Sequence, residues 1–370
     1  MRRVILYGLR GKGRKEVESF LDESYEIVGY SDSDLQYWDC RYINYIRFMK
    51  PEELKDVEFD YLIITPLNLA ISNEIKNSIL EWGGIKADKI IQYALFYDVR
   101  YPHPYEVFNT VSNFCKFKGF ILGMSHAHRG IDVNLFPEPV FNFGFNSNDL
   151  FYYYHLMKKL ESEYAEQCRV KYCILELPYY IFNWDRSLSK SAFRSMNSYT
   201  VLGQYHHLDT DEGNLIKKYR IFEEMFKRKK MTNSSVCNTG IYDVKDIVAN
   251  QDFVEISHVW KTEHTETQKE NIIYFQKLVS LLRQLNKEIK IYVTVFPQNP
   301  RFYKRHWENI DKVSKFFYEV INDMHLEDVV IWDYFNIYEQ REEYFEDDCH
   351  LNTSGRKAFT HKIIVDLEKA

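Results

Sequence analysis

The chain has 370 residues, a formal net charge of −6, 28% charged residues and 45% hydrophobic residues. This is the composition of a folded protein, and it gives no reason to expect general affinity for nucleic acid. No apolar run reaches the roughly 18 residues of a membrane-spanning helix, and the apolar start of the chain is too short for a secretory signal. The six cysteines form no Cys-x-x-Cys pair, which indicates reduced thiols and a cytoplasmic protein.

The first hundred residues alternate between short apolar runs and helical patterns. The predicted strands are 3–8, 25–30, 61–65 and 89–92, and the predicted helices are 15–21 and 73–82. Such alternation is typical of a small parallel sheet. Two prolines within 97–104 interrupt regular structure. We therefore expect a first domain over residues 1–100, followed by a crossing to a second domain.

A glycine-rich turn follows the first predicted strand. Gly8, Gly11 and Gly13 allow backbone N–H groups to approach a phosphate, and Asp32 follows the second strand, where an acid can hold a ribose hydroxyl. The standard Gly-x-Gly-x-x-Gly spacing is not met, because Arg10 holds its middle position. The turn therefore indicates either a nucleotide-binding domain or a domain with a purely architectural role.

A second alternation begins near residue 119. The predicted strands are 119–123, 139–142, 172–177, 290–296 and 329–333, and the predicted helices are 149–164, 267–285, 307–324 and 354–367. This order predicts a second α/β domain with a mostly parallel sheet over residues 115–370. The polar segment at about 187–261 breaks the alternation, and we interpret it as an insertion beside the site.

Two short segments far apart in the chain contain the residue types that nucleophilic acyl transfer requires. Gly123-Met-Ser125 places a hydroxyl where a strand gives way to a helix, whose N-terminus favours a developing oxyanion. Asp347-Asp-Cys-His350 places a carboxylate within reach of the inner nitrogen of an imidazole, which leaves the outer nitrogen to face the serine. We expect Ser125 to be the nucleophile, His350 its base and Asp347 the partner of the base. A serine that only caps a helix and a solvated acidic loop are the alternatives.

With these residues the chain resembles the SGNH, or GDSL-like, hydrolase superfamily over about residues 115–370. In that family a strand leads into Gly-Asp-Ser, here Gly123-Met-Ser125, and Asp-x-x-His precedes the last helix, here Asp347 to His350. The segment His350-Leu-Asn-Thr-Ser-Gly355 is also similar to many members. The resemblance implies a three-layer α/β/α domain of the flavodoxin-like kind and an acyl intermediate on Ser125. We expect no cofactor.

The two middle blocks of that family differ here. The block Asn-x-x-x-x-Gly, whose glycine amide belongs to the oxyanion hole, reads Asn142-Phe-Gly-Phe-Asn-Ser147. Ser147 keeps a backbone donor at that position, and its side chain can cap the helix predicted to begin at residue 149. Tyr180 stands where the third block has asparagine, and its phenol can donate in place of the amide. The resemblance thus implies an oxyanion hole formed by Ser125, Ser147 and Tyr180. It also places the chain nearer to divergent members that act on surface polysaccharides.

Two histidines lie directly after the expected nucleophile. His126 and His128 have a His-x-His spacing that can bind metal in a strand. No third ligand is apparent in the sequence. We therefore interpret both as polar residues at the rim of a pocket and expect no metal.

The opening of the chain carries a resemblance of its own. Its strand, glycine-rich turn, helix and second strand ending in Gly29-Tyr-Ser-Asp32 resemble the small Rossmann-like domains that precede sugar-modifying enzymes of capsule and lipopolysaccharide pathways. The resemblance covers residues 2–95. It implies a nucleotide-sugar ligand, with a purely architectural role as the alternative.

Together these observations predict a cytoplasmic bacterial enzyme, a serine-dependent esterase or O-acyltransferase. Its partner is a carbohydrate, with the acyl group, most simply acetyl, on a surface glycan or its precursor, and either water or a sugar hydroxyl as acceptor. The alternative is a degenerate SGNH domain kept as a glycan-binding or assembly module, which the replacement at Tyr180 favours. A lipid thioesterase is less favoured because the predicted insertion is polar. The oligomeric state stays open.

Overall fold

A computed structural model describes residues 1–96, 114–189, 192–207, 213–227, 265–326 and 329–370. The crossing expected at 97–104 lies outside the described residues, as does most of the later part of the segment 187–261. The chain divides into two compact units, Met1–Tyr101 with His207–Lys230 and Pro102–His206 with Met231–Ala370.

The described part of the chain contains eleven strands and ten α-helices. The strands are β1 (Arg2–Tyr7), β2 (Tyr25–Ser31), β3 (Tyr42–Ile43), β4 (Ile46–Met49), β5 (Tyr61–Ile64), β6 (Ile90–Gln92), β7 (Gly119–Leu122), β8 (Val140–Asn142), β9 (Tyr172–Glu176), β10 (Lys290–Val295) and β11 (Val329–Asp333). The helices are α1 (Lys12–Phe20), α2 (Leu69–Trp82), α3 (Tyr93–Phe96), α4 (Ser125–Gly130), α5 (Leu150–Tyr164), α6 (Ser195–Leu202), α7 (Gly213–Met225), α8 (Thr265–Leu285), α9 (Pro300–Asp323) and α10 (Thr353–Lys369).

The first unit contains a six-stranded sheet with the order β3-β4-β2-β1-β5-β6. From β4 to β6 every pair is parallel, and this part has the strand order of a Rossmann-like sheet. The β3–β4 pair is antiparallel and was not predicted. Its two-residue turn places Asn44 and Tyr45 at φ 49° and 67°, the left-handed backbone that matches the twist of a tight hairpin.

Helix α7 belongs to the first unit, although it comes more than a hundred residues after the rest of that unit in the sequence. Phe222 lies 5.7 Å from Tyr93 and 5.4 Å from Phe96 between ring centroids, and Phe226 lies 5.1 Å from Tyr93. These contacts bury aromatic surface against α3, which stabilises the pairing. The segment 187–261 is thus divided, because its described residues 213–227 belong with the first unit.

The second unit is built around a five-stranded sheet in which all strands are parallel. The order β11-β10-β9-β7-β8 is that of flavodoxin-like folds. Alternate residues of β7 face opposite sides: Phe120 packs in one core cluster with α5, α8 and α9, and Ile121 packs in another with α10. Helices therefore cover both faces, and the α/β architecture predicted from the sequence is confirmed.

The carboxyl ends of β7, β8 and β9 meet at one edge of this sheet, because the three strands are parallel neighbours. Ligand sites in open α/β sheets lie outside this edge. Within the described residues, no helix is both long and apolar enough to cross a membrane.

The close approach of α1 to the end of β5 gives a prediction about stability. A Cβ on Gly13 would lie 1.9 Å from the backbone oxygen of Thr65. We expect Gly13→Ala to lower the free energy of unfolding by roughly 1–3 kcal/mol, as overpacking does, despite the higher helix propensity of alanine. Ser19→Ala, at an exposed position of the same helix, is the control and should stay within about 0.5 kcal/mol. Urea unfolding of both variants measures the difference, and equal stabilities would contradict the close packing.

Candidate active site

Ser125 is the first residue of α4, and two residues, Gly123 and Met124, separate it from the end of β7. The turn between them is tight. A Cβ on Gly123 would lie 2.4 Å from the Cβ of Ala127 and 2.7 Å from Oε2 of Glu176, so only glycine fits. The local sequence therefore places the Ser125 hydroxyl at the carboxyl edge of the sheet, as the strand-Gly-x-Ser pattern predicts.

The carboxylate of Glu176 fixes the turn between β7 and α4 by contacts with Met124 and His126. Glu176 ends β9 and is fully buried. Its Oε2 accepts the backbone N–H of Met124 at 2.5 Å, and its Oε1 lies 3.1 Å from Nδ1 of His126. The two residues on either side of Ser125 are thus fixed by one side chain. Sequence reasoning missed Glu176, although a single acid at the end of an apolar strand was a visible signal.

Ser125, His350 and Asp347 form one chain of hydrogen bonds. The Nε2 atom of His350 lies 2.8 Å from Oγ of Ser125. Its Nδ1 atom lies 2.8 Å and 3.0 Å from the two carboxylate oxygens of Asp347. The structure therefore brings together the three residues that the sequence analysis selected from opposite ends of the second unit.

Burial and charge set the protonation states within this chain. Burial lowers the pKa of His350 to about 4, although the hydrogen bond and charge of Asp347 act to raise it. Burial acts to raise the pKa of Asp347, but the interactions with His350 and two backbone N–H groups hold it well below its usual range. At neutral pH the imidazole is therefore neutral. With Nδ1–H donating to the carboxylate, Nε2 is left as an acceptor for the serine proton.

The loop that carries Asp347 and His350 is held at both ends. Asn299, the N-cap of α9, donates from Nδ2 to the backbone oxygen of Asp347 at 3.1 Å. Asn352 caps α10 by accepting the N–H groups of Ser354 and Gly355. The segment that follows His350 thus fixes the start of the last helix, which explains the spacing of its Asn and Gly.

The segment around Ser147 is tied to the nucleophile turn. The backbone N–H of Phe145 donates to the oxygen of Gly123 at 3.1 Å, and Nδ2 of Asn142 donates to the oxygen of Ala127 at 2.9 Å. Ser147 has a φ of 58°, a left-handed conformation that glycine adopts most readily. Ser147 therefore has a backbone conformation that is uncommon for a residue other than glycine.

The side chain of Ser147 has a different partner from the one expected. Its Oγ accepts from Nη1 of Arg194 at 3.1 Å. Helix α5 is capped by Asp149, whose carboxylate accepts the N–H of Tyr152 at 3.2 Å. The prediction that Ser147 caps this helix was wrong, because a better capping side chain stands at the cap position itself.

Tyr180 is buried, with 7% of its surface exposed. Its hydroxyl donates to the sulfur of Met124 at 3.7 Å, and burial raises its pKa well above the usual value. The phenol therefore lies against the residue that precedes Ser125. A contribution of Tyr180 and of the Ser125 and Ser147 amides to an oxyanion hole stays a prediction.

His126 and His128 are both buried rather than open to solvent. The rings of His126 and His350 lie 5.4 Å apart between centroids, and Sγ of Cys349 lies 3.5 Å from Nδ1 of His350. One donor atom from each of His126, Cys349 and His350 lies within 4.8 Å of the others. The sequence showed no third ligand for His126 because the two further donors come from the other end of the second unit.

The glycine-rich turn of the first unit is bonded to the carboxylate of Asp32. Gly8 and Gly11 have φ of 96° and 90°, and Gly13 lies under the end of β5. The carboxylate of Asp32 accepts the backbone N–H of Leu9 at 2.6 Å and that of Asp34 at 2.9 Å. Asp32 thus holds the turn itself, and a role for these four residues in binding a nucleotide stays a prediction.

The family model described as C2185-like, N-terminal, matches residues 1–91, less than half of the chain. No curated protein matches the sequence. Among solved structures, the chain is similar to the lipase Lip_vut3 from a goat rumen metagenome. That similarity has 12% identity and a TM-score of 0.35, and it covers 67% of this chain and 96% of that chain. Because this likeness is too weak to support a conclusion about activity, what the site can do follows from its own geometry.

The environment of His350 gives a prediction about its titration. We expect NMR titration of the imidazole resonances to give His350 a pKa of about 4, well below the ordinary ~6.5 of histidine. Asp347→Asn removes the charge that opposes the effect of burial, so the pKa should fall further. The folded state favours the neutral ring of His350. The contribution of this ring to the free energy of unfolding is therefore present above pH ~6.5 and is lost as pH falls through about 4. Circular dichroism at each pH separates titration from unfolding, and a pKa near 6.5 in the folded protein would refute the buried arrangement.

Proposed function

We propose that the second unit is a serine-dependent acyl-transfer enzyme of the SGNH type, acting as an esterase or an O-acyltransferase. The observation that carries this proposal is the hydrogen-bond chain from Ser125 Oγ through His350 to Asp347. A neutral imidazole that accepts from a serine and donates to a carboxylate is the arrangement that activates a hydroxyl for attack on a carbonyl.

The reaction follows from the atoms in this chain. The Oγ of Ser125 attacks the ester carbonyl carbon, and its proton passes to Nε2 of His350. The carboxylate of Asp347 stabilises the imidazolium that results. When the tetrahedral intermediate collapses, His350 gives the proton to the departing alcohol, and an acyl group stays on Ser125. Water or a sugar hydroxyl then attacks the acyl group, with His350 as base, and restores the serine.

The oxyanion of the intermediate needs donors that are fixed before the reaction. The backbone N–H of Ser125, at the start of α4, is one candidate. Ser147 is the second, because its loop is tied to the nucleophile turn through Gly123 and Ala127. Glu176 supports the same geometry, since its carboxylate accepts the backbone N–H of Met124.

The proposed substrate is an acyl group, most simply acetyl, on a bacterial glycan or its precursor. This choice rests on the resemblance of the sequence to divergent SGNH proteins of polysaccharide pathways. The alternative, a degenerate domain that binds glycan without reacting, has one observation in its favour. The Tyr180 hydroxyl, which would replace a family donor, is engaged with the sulfur of Met124.

Substitution of the three residues tests the proposed function. We expect Ser125→Ala and His350→Ala each to reduce kcat for p-nitrophenyl acetate by roughly 10⁴-fold or more, because the members of such a chain act as a unit. Asp347→Asn should cost less than either, since the carboxylate orients the base without taking the proton. Ser162→Ala, at an exposed serine of α5, is the matched control.

Acetate release from an O-acetylated polysaccharide, measured for the same variants, tests the substrate class. A Ser125→Ala protein with the rate of the parent would remove Ser125 from the mechanism. A folded parent protein that binds glycan but releases no acetate from either substrate would favour the alternative.

Tyr180→Phe tests the third donor. If the phenol serves the oxyanion, removal of its hydroxyl should lower kcat by about 10²–10³ with little change in KM, because the contact is made mainly in the transition state. The control is Tyr179→Phe, whose hydroxyl binds Asp333 at 2.5 Å on the edge strand β11. Steady-state kinetics of the two variants decide the matter, and an unchanged kcat in Tyr180→Phe would leave that residue with a packing role only.

A further inference from the structure

Three side chains of the types that bind metals lie beside Ser125. Only one of them, His350, has a role in the proposed reaction. The cluster consists of the imidazoles of His126 and His350 and the thiol of Cys349, and one donor atom from each lies within 4.8 Å of the others. All three side chains are buried. Imidazole nitrogen and thiolate sulfur are the donors that zinc and similar divalent metals prefer in proteins.

Both imidazoles of this cluster are held by carboxylates. Nδ1 of His126 lies 3.1 Å from Glu176, and Nδ1 of His350 lies 2.8 Å from Asp347. A carboxylate behind an imidazole fixes the ring orientation and raises the basicity of the other nitrogen, which is the arrangement found behind zinc-ligating histidines. The charge of Asp347 also lies close to the cluster, and negative charge there favours a dication.

The position of His350 makes metal binding and the hydrogen-bond chain mutually exclusive. Its Nε2 contacts Ser125 and its Nδ1 contacts Asp347. A metal bound at either nitrogen must therefore displace one of these two contacts. The protein cannot hold a metal on His350 and keep the complete chain from serine to carboxylate.

We propose that His126, Cys349 and His350 bind one divalent metal of the zinc class and that the bound metal reversibly blocks the Ser125–His350–Asp347 chain. Binding replaces the S–H bond of Cys349 with a sulfur–metal bond and releases the proton to solvent, so no oxidant or reductant is needed. The three side chains leave a fourth position of a tetrahedral metal for water. The metal-binding part stands on the cluster alone, whereas the blocking of catalysis rests on the proposed function.

Cobalt(II) is the probe, because it takes the place of zinc and reports thiolate ligation through a charge-transfer band. The full-length protein, stripped with a chelator, is titrated with cobalt(II) and followed by absorption. We expect the band to saturate at one metal per chain and to disappear when zinc is added. Cys349→Ser should abolish it, and the control Cys40→Ser, at an exposed cysteine of the first unit, should keep it. No band in the folded parent, or a band that survives Cys349→Ser, would overturn the proposal.

A second variant covers the case in which Cys349→Ser does not fold. His126→Gln keeps an N–H donor for Glu176 but removes a ligand nitrogen. It should weaken cobalt binding by at least the roughly 10–100-fold that even outer-shell changes cost at metal sites, and unchanged affinity in the folded variant would contradict the proposed ligand set.

Zinc inhibition of p-nitrophenyl acetate hydrolysis, reversed by chelator, tests the second half of the proposal. Hydrolysis that continues at full rate with one bound zinc per chain would refute the blocking. A parent protein that shows the cobalt band but no hydrolysis with or without metal would refute the proposed function and leave the metal site standing. Hydrolysis without any cobalt band would refute the metal site and leave the proposed function standing.

Discussion

The active site depends on the contacts of one buried carboxylate, that of Glu176. It lies at the end of β9, the middle strand of the second sheet, with none of its surface exposed. A buried carboxylate is tolerated only where donors surround it, and here the donors are the backbone N–H of Met124 and the ring of His126. Because these residues flank Ser125, satisfying one buried group also fixes the nucleophile. A Cβ added to Gly123 would lie 2.7 Å from Oε2 of Glu176, so the turn beside this carboxylate requires glycine.

The order of the second sheet explains how distant residues come together. Strands β7, β8 and β9 are neighbours and parallel, so their carboxyl ends deliver Ser125, the Ser147 loop and Glu176 to one edge. The base arrives separately, on the loop before α10, and Asn299 and Asn352 hold that loop. The sheet thus positions Ser125, whereas the termini of two helices position His350 and Asp347.

The sequence predicts the parts of this molecule that depend on local pattern. Apolar runs and helical periodicity locate most strands and helices within a few residues, and Gly-x-Ser and Asp-x-x-His identify the three residues that meet. The hairpin β3–β4 was missed because Asn44 and Tyr45 adopt a left-handed turn without a glycine. The packing of α7 on α3 was missed because aromatic contacts between Phe222 and Tyr93 leave no mark in the local sequence. Glu176 is visible in the sequence as a single acid at the end of an apolar strand, but its contacts with Met124 and His126 form only when separate segments fold together.

The burial of the His350 imidazole bears on both proposals, acyl transfer and metal binding. Removal from water lowers its pKa, which keeps the ring neutral. A neutral ring is what a general base requires, and it is also what a metal ligand requires. Asp347 orients the ring through Nδ1, and His126 and Cys349 lie next to the same ring. On the proposal above, the same contacts that orient His350 as a base for Ser125 also allow it to bind a divalent metal of the zinc class together with His126 and Cys349.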